Sequence, residues 1–285
     1  MRRVKIGTDE KLFRSMHRRY CDDLHELPAW DRFDASALED SVREELRRAW
    51  SARVVAEYRS MVVFSELIAR MPEAGLSLEV SCAASRLLQD EARHTELCQQ
   101  IAERLGGTDD ALVDVKRDLH LADENLRAEL FVARWTVSMF CVGECASVGL
   151  LQALVDEGKD PCVSRVLETL LRDEILHDRF GWALARSVIP TLTDDEREWL
   201  SADLAFSFAH YDRVNGRGMR AEGGEVTVGP ARSDGAERMG LIAPSAYAQA
   251  WYTRLDTVIM PSLRGLGLAA NEAWMLRHEA AASQR

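Results

Sequence analysis

The chain carries one short pattern twice. Leu-Gln-Asp-Glu-Ala-Arg-His occupies 88–94 and Leu-Arg-Asp-Glu-Ile-Leu-His occupies 171–177, 83 residues later. Each is an Asp-Glu-x-x-His run inside a strongly helical segment. Residues three apart share a helix face, so Glu91 with His94, and Glu174 with His177, each aim one carboxylate and one imidazole at the same point. A fold that brings both copies together offers two carboxylates and two imidazoles at one place, which suits two metal ions.

The flanking periodicity turns this into an architecture. Spacing by alternating threes and fours joins Val80, Ala84, Leu87, Glu91, His94, Cys98 and Ile101 on one helix, and Val163, Leu167, Leu170, Glu174, His177, Gly181 and Leu184 on another. The same rhythm gives Trp50, Val54, Glu57, Met61, Phe64 and Ile68, and then Val137, Cys141, Glu144, Val148, Leu151 and Val155. Four apolar seams are therefore interrupted near their middles by carboxylate or imidazole. Pro72–Gly75 and Gly158–Pro161 are the turns between them. In an antiparallel hairpin, facing residues are equidistant from the turn. The midpoint of 57 and 91 is 74, and that of 144 and 174 is 159, each within its turn. Glu66 pairs with Glu91 only about a midpoint of 78.5, inside a helix, so Glu57 is the better candidate. Four buried carboxylates without a seam Lys or Arg would repel one another, and two divalent ions would nearly neutralise them.

One Glu from each of two helices, with Glu-x-x-His from each of two others, resembles the ligand pattern of ferritin-like dinuclear iron or manganese carboxylate proteins. Asp90-Glu91-Ala92-Arg93-His94 is also similar to the D-E-x-R-H run of bacterial multicomponent monooxygenases. The resemblance implies an all-α fold, a ferritin-like four-helix bundle over about 42–189 with additional N- and C-terminal helices. It implies Glu57, Glu91, His94, Glu144, Glu174 and His177 as catalytic metal ligands, and Asp90 and Asp173 as carboxylates that hydrogen-bond the far nitrogens of the ligand histidines. The implied cofactors are two Fe ions, or Mn with Fe, with O2 as co-substrate. The implied activity is oxidation of a small organic molecule by hydroxylation, N-oxygenation or desaturation. Iron storage, a radical-generating subunit and a binding protein with a relic site are the alternatives. A radical tyrosine would lie four residues after the first histidine, where this chain has Cys98. A p-aminobenzoate N-oxygenase would carry a further histidine where this chain has Leu170.

The remainder reads as one domain spanning 1–285. A short helix is expected around Lys11–His17, and extra helices at about 193–212 and 246–260, the first opened by a Thr193–Glu196 capping box and the second broken at Met260-Pro261. The stretch 214–244 holds seven of the seventeen glycines and reads as a long loop, with Val226–Val228 a small strand inside it. Trp50, Tyr58, Met61, Phe64, Phe140 and Phe180 suit either a substrate cavity or plain core packing. His210 and the other unpaired histidines read as structural or surface residues. A net charge of −11 with no Lys/Arg stripe argues against a nucleic-acid surface. No signal-like apolar region follows Met1, and no run reads as long enough to span a bilayer. Six cysteines without C-x-x-C spacing read as reduced thiols in a cytoplasmic protein. A small-molecule substrate, an external electron donor and a homodimeric partner are compatible with this reading.

Overall fold

The computed structural model describes residues 3–5, 11, 28–107, 112–114, 125–216, 219 and 234–283. Apart from one pair of three-residue strands, the described chain is helical. β1 (Arg3–Lys5) pairs antiparallel with β2 (Leu112–Asp114), Val4 opposite Val113. Four long helices follow: α1 (Asp40–Arg70), α2 (Leu78–Arg104), α3 (Ala128–Glu157) and α4 (Pro161–Val188). Then come α5 (Asp194–Tyr211), the short α6 (Asp234–Arg238), α7 (Pro244–Arg254, running on through Leu255–Ile259 and Met260–Gly265) and α8 (Ala270–Ser283).

Local chemistry sets the ends. Gly75 closes the α1–α2 turn at φ +71°, a conformation that costs glycine little. Asp160 caps α4 by accepting from the backbone N–H of Cys162 (2.9 Å) and Val163 (3.0 Å), with Pro161 at the first helical position. Thr193 and Glu196 form a reciprocal capping box on α5.

The four long helices pack as α1 on α2 and α3 on α4, joined by α2 against α4 and by α1 against the first turns of α3. Beyond that start, the backbones of α1 and α3 stand apart, bridged by Phe64 against Phe140. Helix α5 lies on the middle of α3 and is itself covered by α8, while α7 covers the second half of α3. The core is two clusters. One contains Phe64, Phe140, Trp182, Phe208 and Trp251; the other contains Leu46, Trp50, Ile101, Leu167 and Ile242.

Several expectations need correction. An 18-residue window of Ala128–Glu157 has mean hydropathy 1.5 and is long and apolar enough to cross a membrane by composition. More than half of that window is buried within the protein, because α3 contacts α4, α5 and α7 and carries Glu144 inward. The 214–244 stretch is not loop at either end. Asp212–Gly216 extends α5 as a wide π turn, α6 is helical, and Ala236, Met239, Leu241 and Ile242 are buried. Gly240 makes that descent possible: at φ +82°, an added Cβ would come within 3.1 Å of Trp50 and 3.2 Å of Val163. Pro261 does not break the last expected helix. The π turn Leu255–Ile259 precedes it and relaxes the i−4 hydrogen-bonding that proline cannot continue. Helix α8 has no counterpart in the sequence reading, since its buried positions include Ala270, Ala273 and Ala280 while Met275 and Leu276 are exposed. The helix expected near Lys11–His17 and the strand at Val226–Val228 fall outside the described residues, Lys11 aside. Ahead of α1, residues 28–39 hold only a single 3-10 turn, Trp30–Arg32.

Candidate metal centre

Two overlapping groups of side chains meet between the four long helices. Glu57, Glu91, His94 and Glu174 form one, and Glu91, Glu144, Glu174 and His177 the other; within each group the candidate ligand atoms all lie within 4.8 Å of one another. Glu91 and Glu174 belong to both. Glu57 is partly exposed, whereas the other five are buried. Glu66, the rival on α1, is exposed and lies outside both groups.

Each imidazole turns its Nε2 toward the other motif's aspartate, and His94 hydrogen-bonds to it. His94 turns Nδ1 toward Glu57 and Glu174, each at 3.5 Å, and its Nε2 lies 3.2 Å from Asp173 Oδ2. His177 turns Nδ1 toward Glu91 (3.1 Å) and Glu174 (3.4 Å), while its Nε2 lies 3.7 Å from Asp90 Oδ2. Donation from His94 Nε2–H to Asp173 leaves the His94 Nδ1 lone pair facing the carboxylates, the tautomer a metal ligand needs. The two rings stand 5.8 Å apart. Arg93, almost fully buried, links the aspartates by donating to Asp90 Oδ1 at 2.9 Å and to Asp173 Oδ2. Its role had no seam signal; only its place within D-E-x-R-H marked it.

One stretch of winding places Glu144. Thr136–Glu144 is a nine-residue π segment inside α3, and Phe140, Cys141, Val142, Gly143, Glu144, Cys145 and Ala146 are all buried. A single 3–4 seam buries one face, so the sequence reading could not foresee burial around the whole helix. Phe140 stacks on Phe64 at 4.7 Å, and Phe64 meets the edge of His177 at 5.9 Å.

Electrostatics show how badly the cluster needs a cation. Burial, reinforced by Glu174 and Glu57, pushes the Glu91 carboxyl up to about 8 despite the opposing pull of His177, whose Nδ1 lies 3.1 Å away. Burial and neighbouring Glu174 hold Glu144 well above the ordinary carboxylate range. Glu174 goes the other way: burial would raise it, but His177, Glu144 and His94 together hold it well below the ordinary carboxylate range. Burial would lower both imidazoles, but the surrounding carboxylates raise them well above the usual histidine range. Both oxygens of Glu91, Oε2 of Glu174, Nδ1 of both histidines and Nε2 of His177 are buried without a hydrogen-bond partner. Unmet buried acceptors are costly, and a cation satisfies several together. The donor set, two imidazoles and four carboxylates, fits first-row divalent ions.

A cavity of about 640 Å³ opens beside Glu57, Glu144 and Glu174, between α1 and α3. Its outer wall comes from α5 and the segment leading into α7, including Phe206, His210, Tyr211 and Ile242. Of the aromatic and Met candidates named from sequence, none lines it; Trp50, Phe64 and Phe140 are fully buried core residues. His210 does line it, and burial together with Arg59 and Arg213 lowers its imidazole to about 4. Tyr211 reaches the wall only because residue 143 is glycine, where a Cβ would lie 2.3 Å from its hydroxyl. Burial and nearby Glu144 raise that phenol, so it keeps its proton. Cys98 and Cys141 are buried thiols that burial holds protonated, and burial pushes Cys145 up to about 12.

No protein-family model matches the chain, and no curated protein is significantly similar to it. The buried Glu/His groups therefore stand on their own geometry: they could hold a metal ion, in a setting compatible with a dinuclear iron carboxylate site.

Proposed function

We propose that this is a ferritin-like, dinuclear non-haem iron protein that uses O2 to oxidise a small organic molecule. The observation that carries the reading is the pair of overlapping groups sharing Glu91 and Glu174, whose buried acceptor atoms lack partners, set directly against a cavity. Glu57, Glu91 and His94 with Glu174 would hold one ion; Glu144, Glu174 and His177 with Glu91 would hold the other. Two iron(II) ions held there would supply two of the four electrons that reduce O2, the other two coming from a C–H or N–H bond of the substrate.

The chain's own residues do the rest. Asp173 accepts from His94 Nε2–H, Asp90 faces His177 Nε2, and Arg93 ties the two aspartates together. Phe64 and Phe140 seal one side of His177 from water. Tyr211 and neutral His210 stand on the cavity wall, a proton donor and a proton acceptor on the substrate side. The cavity favours substrate oxidation over iron storage, because storage needs an iron path and no organic pocket. An external electron donor and a cytoplasmic setting belong to the same proposal, and a manganese–iron pair would use the same ligands.

The test is anaerobic loading with iron(II), exposure to O2, and Mössbauer and optical detection, followed by a screen for small molecules that speed the decay of the oxidised state. Close to two irons per chain and acceleration by an organic compound are expected. Protein that binds no iron, or that accumulates large mineral cores instead, refutes the proposal.

A further inference from the structure

The expectation of no Lys/Arg stripe fails on one helix. Helix α4 carries arginine at 165, 172, 179 and 186, one every seventh residue. Seven residues are nearly two helical turns, so the four lie along one face, over about 32 Å. Arg172, Arg179 and Arg186 are exposed. Glu168 answers Arg165 at 3.5 Å, but beyond it α4 presents no free acid. Asp173 and Glu174 are buried, and Asp178 is held by Trp182 and Arg254. Arg179 and Arg186 have no acidic partner among the described residues. On a chain of net charge −11 this face is a local reversal of sign. Between its arginines lie Ile175 and Leu176, 36% and 50% exposed. Large apolar side chains rimmed by arginine are the composition of a protein interface.

What lies beneath the stripe gives it a purpose. Arg172 Nε donates to Asp173 Oδ1 at 3.2 Å, and Asp173 Oδ2 lies 3.2 Å from His94 Nε2. A single carboxylate therefore separates an exposed guanidinium from an imidazole of the candidate metal centre. On α2, which packs against α4, the Arg86 side chain is 56% exposed and pairs with Asp90 at 3.2 Å, and Asp90 faces His177. Both histidines thus stand one carboxylate below this arginine-bearing surface. The cavity opens on the other side of the centre, between α1 and α3. A partner seated on α2 and α4 leaves that cavity clear.

We infer that the α4 arginine stripe, with Arg86 of α2, docks an acidic one-electron carrier protein of the small iron–sulfur ferredoxin class. The inference rests on the function proposed above. Iron(II) there gives two electrons for each O2 consumed, and the oxidised pair must receive two before it can act again. Each docked carrier is oxidised by one electron and reduces one iron(III) to iron(II), so two carriers serve one substrate and no atom changes hands. Opposite charge steers an acidic carrier to this face and turns a basic one away. Ile175 and Leu176 give the encounter an apolar centre. A nucleic acid would set its phosphates against those same apolar side chains, which favours a protein partner.

The experiment is calorimetric titration of an oxidised, acidic [2Fe–2S] ferredoxin into the protein as purified, at about 20 mM and about 200 mM salt. Binding should weaken about tenfold over that span, and Arg179→Glu should weaken it about tenfold at low salt. Arg264→Glu, which reverses an exposed charge on α7, should change it less than about twofold. Arg186→Glu is the second variant, and neither α4 substitution should alter iron content. In iron(III)-loaded protein, reoxidation of reduced ferredoxin should slow about tenfold in Arg179→Glu, whereas dithionite, which needs no docking surface, should reduce parent and variant alike. Ferredoxin binding that ignores both α4 variants, or an equal loss in Arg264→Glu, overturns the inference. So does a stripe that joins two copies of this chain in sedimentation, or that binds a DNA duplex in preference to ferredoxin. Iron loading without stripe-dependent binding would sink the docking surface alone. Stripe-dependent binding by protein that loads no iron would sink the oxidase reading alone.

Discussion

Gly181→Ala tests the geometry that holds the candidate centre together. Gly181 lies one turn beyond His177 on α4 and presses against Phe140, one turn before Glu144 on α3. A Cβ at position 181 would sit 2.2 Å from Phe140 Cβ, 3.1 Å from its Cγ and 3.3 Å from its Cα. Ordinary contact begins at 3.4 Å, so the closest approach falls short by 1.2 Å (3.4 less 2.2). In an exposed helix, exchanging glycine for alanine stabilises by about 1 kcal/mol. Here the obstacle is a Cβ and its backbone, which no rotamer change can move, so the helices must part. Overpacking of this kind costs roughly 1–3 kcal/mol, and at this severity we expect about 2 kcal/mol of net destabilisation. That corresponds to a fall in Tm of roughly 4–8 °C for a chain of this size. Parting α3 from α4 also separates Glu144 from His177, so metal content should fall with stability. Scanning calorimetry and elemental analysis read both. The cost should persist, within about 0.5 kcal/mol, when Phe140 is already alanine, because that residue keeps the offending Cβ. A variant as stable as the parent, or one rescued by Phe140→Ala, would show the close approach to be misjudged.

Three further outcomes are expected. Glu57→Ala should lose about one of two metal equivalents by elemental analysis, while Glu66→Ala, at an exposed position, should retain both; the reverse ranking would exclude Glu57 as a ligand. Metal binding must displace protons from Glu91, whose carboxyl titrates at about 8, and from both imidazoles. Affinity should therefore rise as pH climbs toward 8, with proton release measured by titration in weakly buffered solution; pH-independent affinity between 6 and 8 would contradict this. Arg93→Met removes the guanidinium shared by Asp90 and Asp173 but leaves Arg86 and Arg172 each 3.2 Å from one of them, a loss of about 1–3 kcal/mol read as a lowered Tm, and an unchanged Tm would deny Arg93 its bridging role.

Much of the candidate centre can be read from sequence because two simple regularities act there. Helical periodicity puts Glu91 with His94 and Glu174 with His177, and the midpoint rule for antiparallel hairpins selects Glu57 over Glu66. Both depend on local geometry, which sequence carries well. What sequence leaves hidden depends on packing or on departures from regular winding. The π segment at Thr136–Glu144 changes which residues of α3 face inward, and no residue pattern announces it. The cavity exists because Ala49, Ala56, Ser60 and Gly143 are small, yet small residues are common on any helix. Arg53 and Tyr211 reach that space from positions 158 apart (211 less 53), so their meeting belongs to tertiary structure. Helix α8 docks through alanines, and buried alanine leaves little hydrophobic contrast for periodicity to detect.

The exchange of partners between the two motifs bears on how the molecule assembles. His94 on α2 is aimed by Asp173 on α4, and His177 on α4 faces Asp90 on α2 at 3.7 Å. The α1–α2 hairpin lacks the aspartate that holds its own imidazole. A nascent α1–α2 hairpin therefore has one histidine free to rotate and no Glu174, and the α3–α4 hairpin lacks Glu91 in turn. Tight metal capture would begin only when both hairpins have docked in register, so an ion held there would act as a latch on that docking. A half-assembled chain in the cell would release its metal and remain open to proteases, whereas a correctly joined one would be locked by the ions it holds.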